Sequence, residues 1–250
     1  MMGRFSWFYY AAPQRFHALA GRLIPWCAAA AVVLAAYGLW LGLAVAPTDF
    51  QQGESYRIIF IHVPVSWMSM VLYVAMAFWA AMGLVFNARL GAMLAQAIAP
   101  TGALMTLLSL WTGALWGKPT WGTWWVWDAR LTSELILLFL YIGYLSLRGA
   151  IEDERRADRA SALLAIVGVV NVPIIYFSVK WWNTLHQGAS VSVTKGSSMA
   201  AVMLEAMLVM ALAFWAYCFA VVFARVRSII LERERGAAWT TAHLPQEPAT

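Results

Sequence analysis

His62 and His186 are the side chains in this sequence best suited to hold a metal, and both have aromatic neighbours. His62 opens the run His62-Val63-Pro64-Val65-Ser66-Trp67, and His186 follows Trp181-Trp182-Asn183-Thr184-Leu185. Between them lies Trp116-Gly117-Lys118-Pro119-Thr120-Trp121-Gly122-Thr123-Trp124-Trp125-Val126-Trp127-Asp128-Ala129-Arg130-Leu131-Thr132, with five tryptophans from Trp116 to Trp127. Arg57, Lys118 and Arg130 bring positive charge to the same neighbourhood. Imidazole nitrogen is a common axial ligand of haem iron. Indole rings cover apolar surface while keeping one polar edge, and guanidinium and ammonium groups pair with carboxylates. An iron porphyrin with two propionates calls for all three. Two histidines without a Cys, Asp or Glu ligand set do not make a structural zinc site, which takes four ligands.

Each of these groups also has an ordinary use. A histidine at the mouth of a membrane helix can be a hydrogen-bonded structural residue, although ionisable groups at membrane depth more often serve function. Tryptophans gather at headgroup level as an aromatic belt. A belt needs one or two rings per helix end, whereas five stand here. Trp121, Trp124 and Trp125 have i, i+3, i+4 spacing, which predicts a short interfacial helix carrying them on one face. Asp128 precedes an apolar run and suits an N-cap. The stretch Gly113–Thr120 has the outline of a phosphate loop, but its spacing is one residue short and Pro119 separates Lys118 from Thr120.

The elements that must position these residues follow from composition. The chain is 62% hydrophobic and only 12% charged, about half the charge of a soluble protein, so its solvent is lipid. No Asp, Glu, Lys or Arg occurs between Arg22 and Asp49, between Arg57 and Arg89, or between Arg89 and Lys118. Each gap exceeds the ~20 residues a helix needs to cross the hydrocarbon core. Further apolar stretches cover Leu131–Leu147, Ala160–Val179 and Met199–Val226, the last with one acid, Glu205. The reading is an all-α, polytopic membrane protein of six transmembrane helices, because backbone groups in lipid must be satisfied within each span. Residues 1–22 form an N-terminal arm, 23–226 the membrane domain with the tryptophan loop at 116–132, and 227–250 a partly disordered tail.

Orientation follows from Lys and Arg near the helix ends. Twelve lie on one side, among them Arg4, Arg89, Arg155 and Arg225, against five on the other, Arg57, Lys118, Arg130, Lys180 and Lys195. The positive-inside rule then places both termini in the cytoplasm and the histidines outside. Ala44-Val45-Ala46 has the form of a signal cleavage site, but the apolar run before it exceeds the usual ~7–15 residues, so the first helix is expected to stay uncleaved. Cys27 and Cys218 both sit in apolar runs and read as packing residues. No C-x-x-C-H occurs, so haem here would be non-covalent b-type haem. The net charge of +5 belongs to the membrane flanks and implies no nucleic acid.

With these residues in view, the chain resembles the cytochrome c maturation protein C family of haem exporters, within the WWD-domain haem-handling group. The WWD signature stands as Trp121-Gly122-Thr123-Trp124-Trp125-Val126-Trp127-Asp128 and continues through Thr132. The resemblance extends to His62-Val63-Pro64, to His186 and to the six-helix length. It implies that His62 and His186 are the axial ligands and that the loop cradles the haem edge. It implies a bacterial inner-membrane protein that is not an enzyme and that loads haem onto a periplasmic haem chaperone for c-type cytochrome biogenesis. Its implied partners are the ABC-type ATPase and permease subunits and a small single-helix subunit. Two other functions fit the composition. An electron-transfer cytochrome b would place His pairs inside the bilayer, and a small-solute transporter would need polar groups at the midplane, for which Glu205 and Asn171 are the candidates. Glu134, near the start of the fourth helix, either orients the loop or packs.

Overall fold

The computed structural model describes residues 7–186, 197 and 199–241. Its helices are α1 (Pro13–Trp40), α2 (Ile59–Phe86), α3 (Arg89–Trp121), α4 (Ala129–Ala150), α5 (Glu154–Gly168), α6 (Asn171–Trp181) and α7 (Ala201–Arg233). A π-helical turn, Leu41–Val45, extends α1, and a 3-10 turn, Glu54–Ile58, leads into α2. Among the described residues there are six spans long and apolar enough to cross a membrane, and no β-strand. The chain is a multi-pass α-helical membrane protein.

Three boundaries differ from the sequence reading. Helix α1 starts at Pro13, because proline suits the first helical turn, and so takes in half of the expected arm. At the other end α7 runs on to Arg233; the tail beyond Thr241, expected to be disordered, lies outside the described residues. The fifth span is two helices. It breaks at Val169–Val170, just after Gly168, where a Cβ would collide with the Tyr73 hydroxyl. Asn171 restarts the helix and donates from Nδ2 to the Ser133 carbonyl of α4 at 2.8 Å.

Packing follows the small residues. α2 and α3 form a hairpin turned by Asn87 in the left-handed region (φ 51°). They come so close that a Cβ on Gly91 would stand 2.8 Å from the Trp79 carbonyl. Close backbone approach of this kind, more than apolar driving force, holds helices together in lipid. The core between α2, α3 and α4 is built from Met68, Met76, Met93, Leu137 and the edge-to-face pair Tyr73–Tyr141. α1 lies to one side, packed chiefly on α7, and Tyr37 donates to Glu205 across that seam at 3.0 Å. The two polar groups that a transporter reading would need are therefore spent on helix packing.

The end of the bundle away from the histidines is tied by charge. Asp158 of α5 accepts from Arg148 of α4 and from Arg233 of α7, and Arg233 also donates to Gln96 of α3 at 2.6 Å. Three helices thus share one carboxylate.

Candidate functional site

His62 lies in the first turn of α2, ahead of Pro64, which stands inside the helix because the 3-10 turn leads into it from Glu54. Its Nδ1 is 2.9 Å from Thr112 Oγ1 of α3. The Thr112 hydroxyl already donates to the Leu108 carbonyl at 2.6 Å, so the imidazole Nδ1–H must be the donor. That fixes the tautomer and leaves Nε2 with its lone pair. The ring fits because residue 113 is glycine: a Cβ there would sit 3.1 Å from His62 Cε1. Trp116, one turn further along α3, meets the imidazole edge-to-face at 5.6 Å.

His186 follows the end of α6 and is held in the same way. Its Nδ1 is 3.2 Å from Asp128 Oδ2, while Asp128 Oδ1 accepts from the Leu131 amide at 2.8 Å and caps α4. One carboxylate thus starts a helix and orients an imidazole, again leaving Nε2 without a partner among the described residues. Burial pushes the His186 pKa below its ordinary 6.5, with Asp128 pulling the other way, so the ring is neutral at pH 7. Trp121 packs edge-to-face on it at 4.9 Å.

The two imidazoles line one narrow cleft of about 20 Å³ together with Ser66, Ser109, Arg130 and Glu134. That is room for about one water and well below the roughly 300–1,000 Å³ of ligand pockets, so a larger ligand enters only if the two imidazoles part. Glu134, one turn along α4 from Arg130, is buried and accepts from Ser69 Oγ at 2.8 Å. Ser66 and Ser109 bond each other at 2.6 Å across α2 and α3. The cleft floor is therefore polar and bridged, while Arg130 brings positive charge to its lining.

The tryptophan segment is not the short interfacial helix its spacing suggests. α3 continues to Trp121 and stops at Gly122 in the left-handed region (φ 78°), whose amide bonds the Lys118 carbonyl. From there to Asp128 the chain is irregular, so Trp121 and the pair Trp124–Trp125 share no helical face. The rings divide instead. Trp124 and Trp127 are 54% and 78% exposed, whereas Trp125 packs edge-to-face on Trp127 and buries its indole Nε1 without an acceptor among the described residues. The cations divide too. Arg57 pairs with Glu54 and donates to the Gly42 carbonyl at 2.5 Å. Lys118 donates to the Gly122 carbonyl at 3.1 Å and caps the end of α3. Of the three, only Arg130 lines the cleft.

Such a site is built to bind. It offers two neutral, oriented nitrogen donors, one guanidinium, one orphaned indole N–H and flanking aromatic edges. No group of three or more His, Cys, Asp or Glu among the described residues could hold a bare metal ion. The donor set suits a ligand that brings its own equatorial coordination.

Residues 6–241 match the model of the family described as "Heme exporter protein C". The chain belongs to this family. A Heme exporter protein C of Haemophilus influenzae is 45% identical over 233 residues, 93% of this chain and 95% of that one. The Escherichia coli K12 protein of the same name is 53% identical over 180 residues, 72% and 74% of the two chains. A mitochondrial protein of Marchantia polymorpha, named as ccmC-like in cytochrome c biosynthesis, is 52% identical over 159 residues, 64% of this chain and 67% of that one.

In this member of the Heme exporter protein C family, several site residues lie outside those the sequence singles out. Thr112 and Gly113 orient and clear His62, and their signal is present: Thr112 stands four residues before Trp116, on the same face of α3. Gly117 enters the sequence reading only as part of the loop. A Cβ there would meet Trp121 at 3.1 Å and the Thr123 carbonyl at 3.2 Å, so glycine lets the loop fold back on α3 without a shift of these neighbours. Ser66, Ser69 and Ser109 carry no local signal, because only the tertiary fold brings them to Glu134.

Proposed function

We propose that this chain takes haem as cargo between His62 and His186 and delivers it to a periplasmic haem chaperone during c-type cytochrome maturation. One observation carries the reading: two histidines 124 residues apart in sequence line one cleft, each with Nδ1 hydrogen-bonded and Nε2 left with its lone pair. Fixing one imidazole nitrogen so that the other coordinates is how proteins prepare metal-binding histidines. The names of the relatives point to the same cargo.

Arg130 is the first candidate to meet a propionate, and the buried Trp125 N–H the second. Arg57 and Lys118 are committed to backbone carbonyls and, for Arg57, to Glu54, so their propionate contacts require those bonds to open. Trp116 and Trp121 flank the imidazoles. Trp124 and Trp127, facing outward, form the surface that a chaperone meets. The chain binds and passes on; ATP hydrolysis belongs to ABC-type partner subunits, and the assembly also includes a small single-helix protein. The excess of Lys and Arg near one set of helix ends orients the chain with both termini cytoplasmic and the cleft periplasmic, in the bacterial inner membrane.

The test is the absorption spectrum of the purified, haem-supplemented protein, oxidised and dithionite-reduced. The expected result is a low-spin b-type spectrum that each of His62→Gly and His186→Gly converts to high spin, with added imidazole restoring it. An unchanged low-spin spectrum in both variants without imidazole would remove the ligand assignment. Trp124→Ala with Trp127→Ala should keep the spectrum yet lose covalent loading of a co-expressed chaperone.

A further inference from the structure

The end of the bundle opposite the histidines holds a larger cavity than the cleft, about 380 Å³, between the end of α2, the starts of α3 and α5, and Tyr144 of α4. Small residues open it: Ala80 from α2, Ala92 and Ala95 from α3, and Ala162 from α5. Its rim is basic, with Arg89, Arg155 and Arg159. The one acid in its lining, Asp158, is already shared between Arg148 and Arg233. Arg89 bonds Glu234 at 3.1 Å while most of its side chain stays exposed. Arg155 and Arg159, one turn apart on α5, have no carboxylate partner among the described residues. Three guanidinium groups thus stand over an apolar floor, and only one has a counter-ion.

We propose that this cavity binds an anionic phospholipid, its phosphate held by Arg155 and Arg159 with Arg89 beside them, and its glycerol and upper acyl chains on the alanine floor. Forked guanidinium donors match phosphate oxygens, and basic pockets between membrane helices hold anionic headgroups. Arginines that serve only to orient a chain need no cavity behind them. A soluble phosphate compound would use the same charges but has no use for the apolar floor. The site shares no residue with the histidine cleft, so the two stand or fall separately.

The experiment is thermal unfolding of the full chain in neutral detergent, followed by tryptophan fluorescence, with phosphatidylglycerol, phosphatidylcholine or inorganic phosphate added. Phosphatidylglycerol should raise the midpoint and phosphatidylcholine should not. Each arginine near an anionic headgroup is worth roughly a fivefold change in affinity, so Arg155→Gln with Arg159→Gln should weaken the lipid effect about 25-fold. Arg156→Gln, on the same helix but outside the cavity, should leave it intact. An equal loss in the Arg156 variant, or an equal shift with inorganic phosphate, would overturn the proposal. Native mass spectrometry of the wild-type chain from mixed phosphatidylglycerol and phosphatidylcholine nanodiscs makes the test independent of variant folding. Retained phosphatidylglycerol supports the site, and no enrichment over phosphatidylcholine overturns it.

Discussion

Asp128 and Asp158 are both carboxylates at helix ends near the membrane surface, and the protein uses them in opposite ways. Asp158 spends both oxygens on Arg148 and Arg233 and joins α4, α5 and α7. Asp128 gives one oxygen to its own helix and the other to an imidazole, whose remaining nitrogen has no partner among the described residues. The same contrast runs through the two ends of the bundle. Each end leaves a buried nitrogen without a partner among the described residues, Arg227 Nε at one and Trp125 Nε1 at the other, but at the Asp128 end two imidazoles also share one cleft. Buried polar atoms are nearly always satisfied, so groups that stay open in a shared place mark where something else binds.

The sharpest way to break the comparison is to swap consequences. Removing Asp158 leaves two mostly buried guanidinium groups facing each other. Breaking such a cluster costs about 3–5 kcal/mol, so Asp158→Ala should lower the melting midpoint by roughly 10 °C while the haem spectrum of the folded fraction stays unchanged. Calorimetry and absorption on one sample decide it, and a changed ligand spectrum would mean the two ends are coupled.

Asp128 should behave in the reverse manner. Asn keeps an N-cap but holds the imidazole without charge, and loss of such an outer partner typically weakens a metal site ~10–100-fold. Asp128→Asn should therefore retain the melting temperature and lose haem affinity by about tenfold or more, whereas Asp128→Ala should also lose ~1 kcal/mol of stability. Haem titration beside thermal melting separates the two roles. Equal haem affinity in wild type and Asp128→Asn would leave Asp128 only its cap.

How much of this is legible in sequence differs between the same two ends. The spans are, because charges bound every apolar run and lipid permits few alternatives. The histidines are conspicuous as residue types, but their tautomers depend on Thr112 and Asp128, which only packing brings to them. The tryptophan loop is misread when the helical period is carried across Gly122. A glycine after a run of helix is a stop signal, and Gly122 takes the left-handed conformation that such stops require. Arg57 looks equivalent to Arg130 in sequence, although Glu54 three residues before it already offers a local partner. The carboxylate that joins three helices, Asp158, is inconspicuous in a segment of mixed charge.

Arg57 and Arg130 give a smaller test. A charge-assisted bond to a carboxylate contributes ~1.5–3 kcal/mol, so Arg130→Ala should lower haem affinity by roughly ten- to a hundredfold. Arg57→Ala should change it by less and instead loosen the turn that binds Gly42. Haem titration of both variants ranks them, and a larger loss in Arg57→Ala would move the propionate contact to that side.

The smallest expected effect is on pH, and its sign follows from the two neighbours of His186. Burial disfavours the imidazolium and Asp128 favours it; burial prevails, so the folded-state pKa lies below the ordinary 6.5. Above pH 6.5 the ring is neutral folded or unfolded, and His186 adds no pH dependence. Below 6.5 the unfolded chain takes up the proton before the folded one does, so the haem-free protein loses stability as pH falls toward the lowered pKa. One proton limits the slope to about 1.4 kcal/mol per pH unit. His186→Gln removes this titration and keeps a polar side chain near Asp128, so between about pH 7 and 5 the wild type should lose more stability than the variant. Parallel melting curves for the two haem-free proteins across that range would mean that Asp128 balances burial. The ring would then enter the cleft as readily charged as neutral, and the Asp128 end would resemble the Asp158 end, where charge meets charge.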